Sequence, residues 1–441
     1  MKPNVLLVIP RYLSTAQYGY IIPMGIMYVS SALKNSGVAN VFTLNLNHQE
    51  ESDESVLRRV LAENSIDIVG TGGISGQFIE IGPLAALVRR IAPQVRIIVG
   101  GGMITADAIP AMEAFDGSVD VGMIGEGEIT VPELVQALHR GSSLHKVDGL
   151  IFKENDEWVI TDRRKDIMDL DTIAFPDYAG FDYDKYLEMN GEVIGGVKYS
   201  QVAVIGGRSC KYNCTFCFHP SGSKYRQRSL DNIFTEIDYL LANYNVNYIA
   251  LREELFASDE GRVLDFCERM KNYPIVWSIQ LRVDSVTPRM VKALSESKCR
   301  YVFLGIESAD NGILKSMRKH ITIEQVEYAL DLANSAGLDT RSTLILGDSV
   351  ETKETAYRTF NWWLEHKSVN SIDIGLIIAF PGSTLYKRAR LNGRIPDPVQ
   401  FLKDGCPIVN LSENMTDEEF DKLVADITAR NQIHFNVHNY K

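Results

Sequence analysis

The 441-residue chain is short of several things, and each shortage removes a class of function. It has no block of consecutive lysines or arginines: 45 basic residues are scattered among 57 acidic ones, for a net charge of −12. Binding a phosphate backbone needs a basic footprint, so nucleic acid is not expected as the main partner. A local basic pocket for a small phosphorylated substrate stays open. No apolar run approaches the roughly 20 residues that span a bilayer. Met1–Lys2–Pro3–Asn4 leads straight into an apolar strand without a signal-peptide pattern. A cytoplasmic protein with no membrane partner is therefore expected. Six cysteines in a chain of this length make no disulfide framework. Neither a short-period repeat nor a low-complexity tract is found.

What is present is alternation. A chain this long exceeds one ordinary core, so two or three domains are expected. Val5–Ile9, Val41–Leu46, Ile66–Val69, Val95–Val99 and Val119–Ile124 read as strands, with helical spacing between them. That is the pattern of a doubly wound, Rossmann-like α/β domain over residues 1–145. Its strand ends carry glycines at Gly70–Gly76, Gly100–Gly102 and Gly125–Gly127, either for close approach to a ligand or as tight strand–helix turns. The connection Arg11–Pro23 is longer than the usual βα loop of about 2–6 residues. A hairpin (Gly149–Phe152 with Trp158–Ile160) and a linker fill residues 146–195. Six further βα units over 196–392 describe a partial (β/α)6 barrel, with catalytic loops expected at the strand C-ends. Residues 393–441 form a small helical extension, whose last helix is capped by Thr416 with Glu419 at N3.

The barrel opens on Val202–Ile205, two glycines, and then Cys210, Cys214 and Cys217 at C-x3-C-x2-C spacing. Such a loop can turn three thiolates onto one centre, and thiolates hold iron–sulfur clusters. Three ligands leave one iron of a four-iron cluster open to a non-protein ligand. A zinc site would pair C-x2-C with a second Cys or His pair; Cys267, Cys299 and Cys406 are scattered and His219 is too close. The barrel strands end in polar groups: Arg252–Glu253–Glu254, Arg282 with Asp284, Gly305–Ile306–Glu307–Ser308, Gly347–Asp348–Ser349 and Phe380–Pro381–Gly382–Ser383–Thr384. Five polar ends around one barrel mouth suit a ligand carrying both charge signs, as S-adenosyl-L-methionine (SAM) does.

With these motifs in view, nearly the whole chain resembles the radical SAM superfamily, in its branch with an N-terminal cobalamin-binding (B12-binding) domain. Phe216 before the last cysteine fits the superfamily pattern. Pro23–Met24–Gly25–Ile26–Met27–Tyr28 looks like the branch's P-x-G-(L/I)-x-(Y/F) helix start. Gly100–Gly101–Gly102–Met103–Ile104–Thr105 and Gly125–Glu126–Gly127–Glu128 look like its GG-x3-T and GEGE loops. The resemblance implies a 4Fe-4S cluster on Cys210, Cys214 and Cys217, the catalytic and metal-binding set. It places Phe216, Glu253 or Glu254 (amino group), Arg282 (carboxylate), Glu307 and Ser308 (ribose), Gly347 and Phe380 around SAM. Gly25, Ser75, Gly76, Gly100, Gly101, Gly102, Thr105, Gly125, Glu126 and Gly127 fall to cobalamin.

Two departures stand out. No D-x-H-x-x-G is present, so no histidine is offered as lower cobalt ligand in the usual position, and the Pro–Gly of the branch's G-x-P-G-E-T is missing from 347–352. Methylthiotransferase relatives would show extra N-terminal cysteines and a C-terminal RNA-binding barrel, which this chain lacks. The implied activity is reductive cleavage of SAM to a 5′-deoxyadenosyl radical, hydrogen abstraction, and methyl transfer from methylcobalamin to an unactivated carbon, or less readily phosphorus, of a small molecule or peptide. Electrons would come from a flavodoxin- or ferredoxin-like donor. The alternatives are a cyclisation, ring contraction or rearrangement without methyl transfer, and a corrinoid- or cluster-binding protein without catalysis.

Overall fold

The computed structural model describes residues 1–12, 20–194, 196–222, 224–256, 259–367 and 371–431. Residues 13–19 of the long first βα connection lie outside them. The chain divides into two compact units, each described by itself. The first comprises Met1–Gly191, Phe218–Gly222 and Asp397–Cys406; the second comprises Glu192–Cys217, Ser223–Pro396 and Pro407–Lys441. Among the described residues no helix is long and apolar enough to cross a membrane.

The first unit is built on seven strands: β1 (Asn4–Ile9), β2 (Asn40–Asn45), β3 (Ile68–Gly72), β4 (Arg96–Gly100), β5 (Val121–Met123), β6 (Leu150–Glu154) and β7 (Glu157–Ile160). Their order is β2-β1-β3-β4-β5-β6-β7. The first five are parallel. β1 is apolar along its length because helices cover both faces, leaving Val5 to Ile9 almost wholly buried. The order reverses between β1 and β3, and in such sheets the ligand crevice lies beyond the strand C-ends at that reversal. The hairpin expected as a separate feature instead continues the sheet: β6 pairs antiparallel with β5. Burial of Leu150, Ile151 and Phe152 explains this, since an isolated two-stranded hairpin has no second layer to cover such a face. The segment expected as a plain linker carries a helix, Tyr183–Met189, seated by an aromatic group in which Tyr178, Tyr183 and Phe181 are fully buried. A short helix from the far end of the chain, Pro398–Lys403, packs on Ala108–Ala114 and Phe78–Ile91.

In the second unit, β8 (Glu192–Ile194) and β9 (Val197–Tyr199) form a small antiparallel pair. The main sheet begins at β10 (Gln201–Val204). β11 (Gly207–Arg208) and β12 (Arg226–Gln227) pair across the cysteine loop. The sheet continues through β13 (Tyr248–Leu251), β14 (Val276–Leu281), β15 (Cys299–Glu307), β16 (Asp339–Leu346) and β17 (Ser371–Leu376), all parallel and in chain order. Sequential order with crossover helices of one hand puts every helix on one face. Leu251, Leu304, Leu344 and Ile374 point to that face and are buried. The opposite, inner face alternates with them and is more open, as in β16 and β17.

Candidate active site

The loop that carries the cysteines is held from below. Arg228 donates to the Ile205 carbonyl at 3.0 Å and is paired with the buried Glu236. Arg262 donates to the Gly206 carbonyl at 3.3 Å and to that of Arg228 at 2.8 Å. Glu253, at the end of β13, accepts from the Gly206 N–H at 3.1 Å. A side chain at 206 would meet Ile233 at 3.0 Å and Glu253 Oε1 at 3.1 Å, so glycine is what lets the carboxylate reach the backbone. Burial pushes the Glu253 carboxyl up to about 7, against the pull of the Gly206 N–H and Arg262. Its Oε1 is buried, with no hydrogen-bond partner among the described residues. Glu254, next in sequence, is exposed.

The loop itself starts at Ser209 in the left-handed region (φ 65°). All three cysteines are free thiols; Cys214 is buried, Cys210 and Cys217 half-buried. Thr215 anchors the loop centrally, its N–H donating to the Met317 carbonyl and its carbonyl accepting from Leu385 N–H, both at 2.9 Å. The Arg282 guanidinium lies 3.6 Å over the Tyr212 ring, forks onto Asp284 at 2.9 and 3.2 Å, and donates to the Lys319 carbonyl at 2.6 Å. Lys319 Nζ pairs with Glu307 at 2.6 Å, and both side chains are nearly buried. This pair explains the glycine of Gly305–Ile306–Glu307–Ser308: a Cβ at 305 would sit 2.6 Å from Lys319 Nζ and 2.8 Å from Glu307 Oε1. Burial works against the Lys319 ammonium, but Glu307 outweighs it and raises its pKa.

These cations bear on the thiols. The hydrogen bond from Cys217 lowers the Cys214 thiol to about 6 against its burial, with Lys319 and Arg282 adding to the effect. Cys217, as donor of that bond, moves up, and burial raises Cys210. Three reduced thiols on one loop, one already favoured as thiolate, are the donor chemistry an iron–sulfur cluster requires. Among the described residues, no three His, Cys, Asp or Glu side chains stand ready-made as a metal site. Lys319 and Tyr212 were not singled out from the sequence, because a lone lysine and a lone tyrosine match no spacing rule.

The other residues expected around SAM lie at successive strand ends. Ser308 is fully buried, 3.0 Å from the Thr359 hydroxyl, and accepts from Asp310 N–H at 3.1 Å. Gly347, at φ 105°, donates to Glu351 Oε2 at 3.2 Å. Burial raises the Glu351 carboxyl to about 7. The missing Pro–Gly after Gly347 is replaced by Asp348, which accepts from Ser316 Oγ at 2.5 Å and Val350 N–H at 3.1 Å. Phe216 and Phe380 are half-buried.

In the first unit the glycines divide into two kinds. A Cβ at Gly72 would lie 2.6 Å from the Gly100 carbonyl, and one at Gly101 (φ 90°) 2.7 Å from that of Gly73. The turns after β3 and β4 thus pack backbone on backbone, which is why these positions are glycine. At Gly127 a Cβ would strike Val29 at 2.8 Å, at Gly100 it would touch Met123 at 3.1 Å, and at Gly102 Ile74 and Pro220 at 3.5 Å. By contrast, no described atom lies within 4 Å of a Cβ built at Gly25 or Gly125, and at Gly76 the nearest is 3.7 Å away. Thr105 ties the two later turns together, donating to Gly101 O at 3.0 Å and accepting from Gly125 N–H at 2.9 Å. Ser75 is buried, and Glu126 accepts from Ile167 N–H at 2.7 Å. The absence of described atoms around Gly25 and Gly125, beyond strand C-ends, fits a bulky planar group.

Comparison with known families matches the radical SAM superfamily over residues 204–362 and the B12 binding domain over residues 12–135. The chain belongs to the B12-binding radical SAM enzymes. Its cofactors are accordingly a 4Fe-4S cluster, SAM and cobalamin. This radical SAM enzyme is 26% identical over 416 residues to an uncharacterized methyltransferase of Pyrococcus horikoshii, covering 91% of this chain and 86% of that one. It is 23% identical over 472 residues to the cytidylyl-2-hydroxyethylphosphonate methyltransferase of Streptomyces wedmorensis, covering 92% and 86%. The anaerobic magnesium-protoporphyrin IX monomethyl ester cyclase of Rubrivivax gelatinosus is 25% identical over 350 residues, 77% of this chain and 61% of its own. Among solved structures, the radical SAM methyltransferase TsrM from Kitasatospora setae with cobalamin and cluster bound has a TM-score of 0.76 at 17% identity, over 97% of this chain and 89% of that one. That likeness shows a shared fold.

Proposed function

We propose that this B12-binding radical SAM enzyme is a methyltransferase acting on an unactivated carbon, or less readily phosphorus, of a small molecule or peptide. The observation that carries the reading is the cysteine loop pinned above Glu253 and flanked by Lys319 and Arg282, in a chain aligned over nine-tenths of its length with two named methyltransferases. When bound, the cluster with SAM supplies a hydrogen-abstracting radical, and the corrinoid supplies a transferable methyl group.

The chain's own residues bind and orient. Cys210, Cys214 and Cys217 hold the cluster, and the Lys319 and Arg282 charges favour the thiolate form. Glu253 fixes the loop backbone, which leaves the exposed Glu254 to take the SAM amino group. Glu307 and Ser308 line the ribose side, and Phe216, Phe380 and Gly347 complete the SAM surround. In the first unit, Gly25, Gly76 and Gly125 give room for the corrinoid, while Ser75, Gly100–Gly102, Thr105, Glu126 and Gly127 shape the turns around it. A flavodoxin- or ferredoxin-like protein donates electrons.

The relative named a cyclase supports a second reading, the same cofactors used for ring formation without net methyl transfer. Anaerobic incubation of reconstituted protein with SAM, a low-potential reductant and candidate substrates separates the two. S-adenosylhomocysteine together with a product one methyl group heavier supports methyl transfer; 5′-deoxyadenosine with a product of unchanged carbon count supports the cyclase-type reaction. Absence of any 5′-deoxyadenosine overturns both.

A further inference from the structure

The inner face of the second unit's sheet carries two arginines that, among the described residues, have no ion-pair partner. Register sets Gln280 beside Phe303, and Phe303 beside Arg341. Arg252 lies one residue past the end of β13, its N–H still bonded to the Val204 carbonyl at 3.1 Å, and alternation from Ala250, whose partner Ser278 stands two before Gln280, carries it toward the same row. Ser278 and Tyr301 form the row below, toward the strand starts; Gly305, Thr343 and Asp373 form the row above. Arg252 and Gln280 are exposed on this face and Arg341 is half-buried. The Arg341 guanidinium stacks 4.1 Å over the Tyr301 ring. Burial would raise the Tyr301 phenol, but the neighbouring Tyr248 and Ser278 hydroxyls, with the Arg252 and Arg341 charges adding to them, outweigh it and draw it down.

The other barrel arginines nearby are saturated: Arg228 by Glu236 and backbone, Arg262 by backbone carbonyls, Arg282 by Asp284 and Lys319. Arg252 and Arg341 are different. Among the described residues neither side chain makes a hydrogen bond or ion pair, although Asp339 and Asp373 share the inner face. Two planar forks, each with five donors and no acceptor, are thus held on one row in a protein of net charge −12. Guanidinium forks match the geometry of carboxylate and phosphate oxygens, and Arg341 is pre-oriented by its stacking.

We propose that Arg252 and Arg341 form a substrate subsite inside the barrel that grips an oxyanion of the substrate, a carboxylate or phosphate group. The anion is held below the Lys319–Glu307 pair, and the rest of the molecule extends toward the strand ends that carry the cysteine loop. The subsite rests on the reading of this barrel as an enzyme's active site, and its test keeps the two apart. Anaerobically reconstituted holoprotein is titrated calorimetrically with inorganic phosphate and separately with benzoate, at constant ionic strength, and SAM affinity is measured on the same preparations. Saturable binding of at least one anion is expected, weakened about tenfold or more by Arg341→Gln and by Arg252→Gln. Arg341→Lys, which keeps the charge and loses the fork, is expected to fall between, and it keeps the test readable should the glutamine variant not fold. Binding of phosphate alone assigns phosphorylated substrates; binding of benzoate alone assigns carboxylates. Wild-type protein that binds SAM but neither anion, or equal anion affinity in wild type and both glutamine variants, overturns the subsite. Wild-type protein that binds no SAM overturns the enzyme reading with it.

Discussion

Glycines crowd the strand ends of the first sheet and polar residues crowd those of the second, and as sequence signals the two look alike. Both suggest a ligand beyond the C-ends of parallel strands. In the first unit Gly72 and Gly101 are there because neighbouring backbones touch, while no described atom comes within 4 Å of a Cβ at Gly25 or Gly125. In the second unit even the glycine of the fourth strand end serves a charge pair, since Lys319 and Glu307 lie across Gly305. One region uses glycine to close its own turns, the other to admit side chains that surround three thiols. A glycine cluster therefore has to be read position by position.

The largest effect that would sharpen this contrast lies at the thiols. Replacing Cys210, Cys214 and Cys217 by serine should abolish bound iron and nucleoside release while corrinoid binding survives. Iron and corrinoid assays on one preparation check this, and full iron occupancy in the triple variant would remove the basis for the site. Next, Lys319→Met strands a nearly buried Glu307 carboxylate, a change that costs about 3–5 kcal/mol when a buried pair is broken. Denaturant midpoints measure it, and Glu307→Gln in the same background should recover part of the loss.

Glu253 provides a pH test of comparable size. Its folded carboxyl is raised to about 7 from an ordinary 4.5, so the folded state favours the protonated form. Stability is full below about 4.5 and falls as pH rises toward 7, by about 3 kcal/mol in all. Glu253→Gln should flatten that slope and leave the protein more stable than wild type at pH 8; parallel pH profiles for the two proteins would refute it. The smallest effects divide the glycines. Gly101→Ala places a Cβ against the Gly73 carbonyl at positive φ and should cost roughly 1–3 kcal/mol. Gly25→Ala, inside a helix and with no described atom within 4 Å of the new Cβ, should stabilise the chain by about 0.5–1 kcal/mol. Equal losses at the two positions, read from thermal unfolding, would erase the distinction.

Much of the fold was legible because buried parallel strands read as apolar runs, and Val5–Ile9 or Val202–Val204 could hardly be anything else. The cysteine spacing named the chemistry. What escaped reading depends on contacts far apart in sequence. Leu150–Phe152 looked like half of a free hairpin, and only pairing with Val121–Met123 shows it as a sheet strand. Lys319 carries no local signal, yet 12 positions separate it from the carboxylate it neutralises and some 100 from the cysteine whose thiolate it favours. Arg252 and Arg341 likewise come to one face of the sheet only through strand register.

The backbone passes from one unit to the other between 191 and 192, 217 and 218, 222 and 223, 396 and 397, and 406 and 407. Neither half can therefore be excised at a single cut. A fragment ending at Gly191 would lack the Pro398–Lys403 helix that seals Phe78–Ile91, and with it the Lys403–Asp116 ion pair at 2.7 Å. The segment Phe218–Gly222 counts with the first unit although it directly follows Cys217, so a cut that kept the cysteine loop whole would also take residues of the other unit.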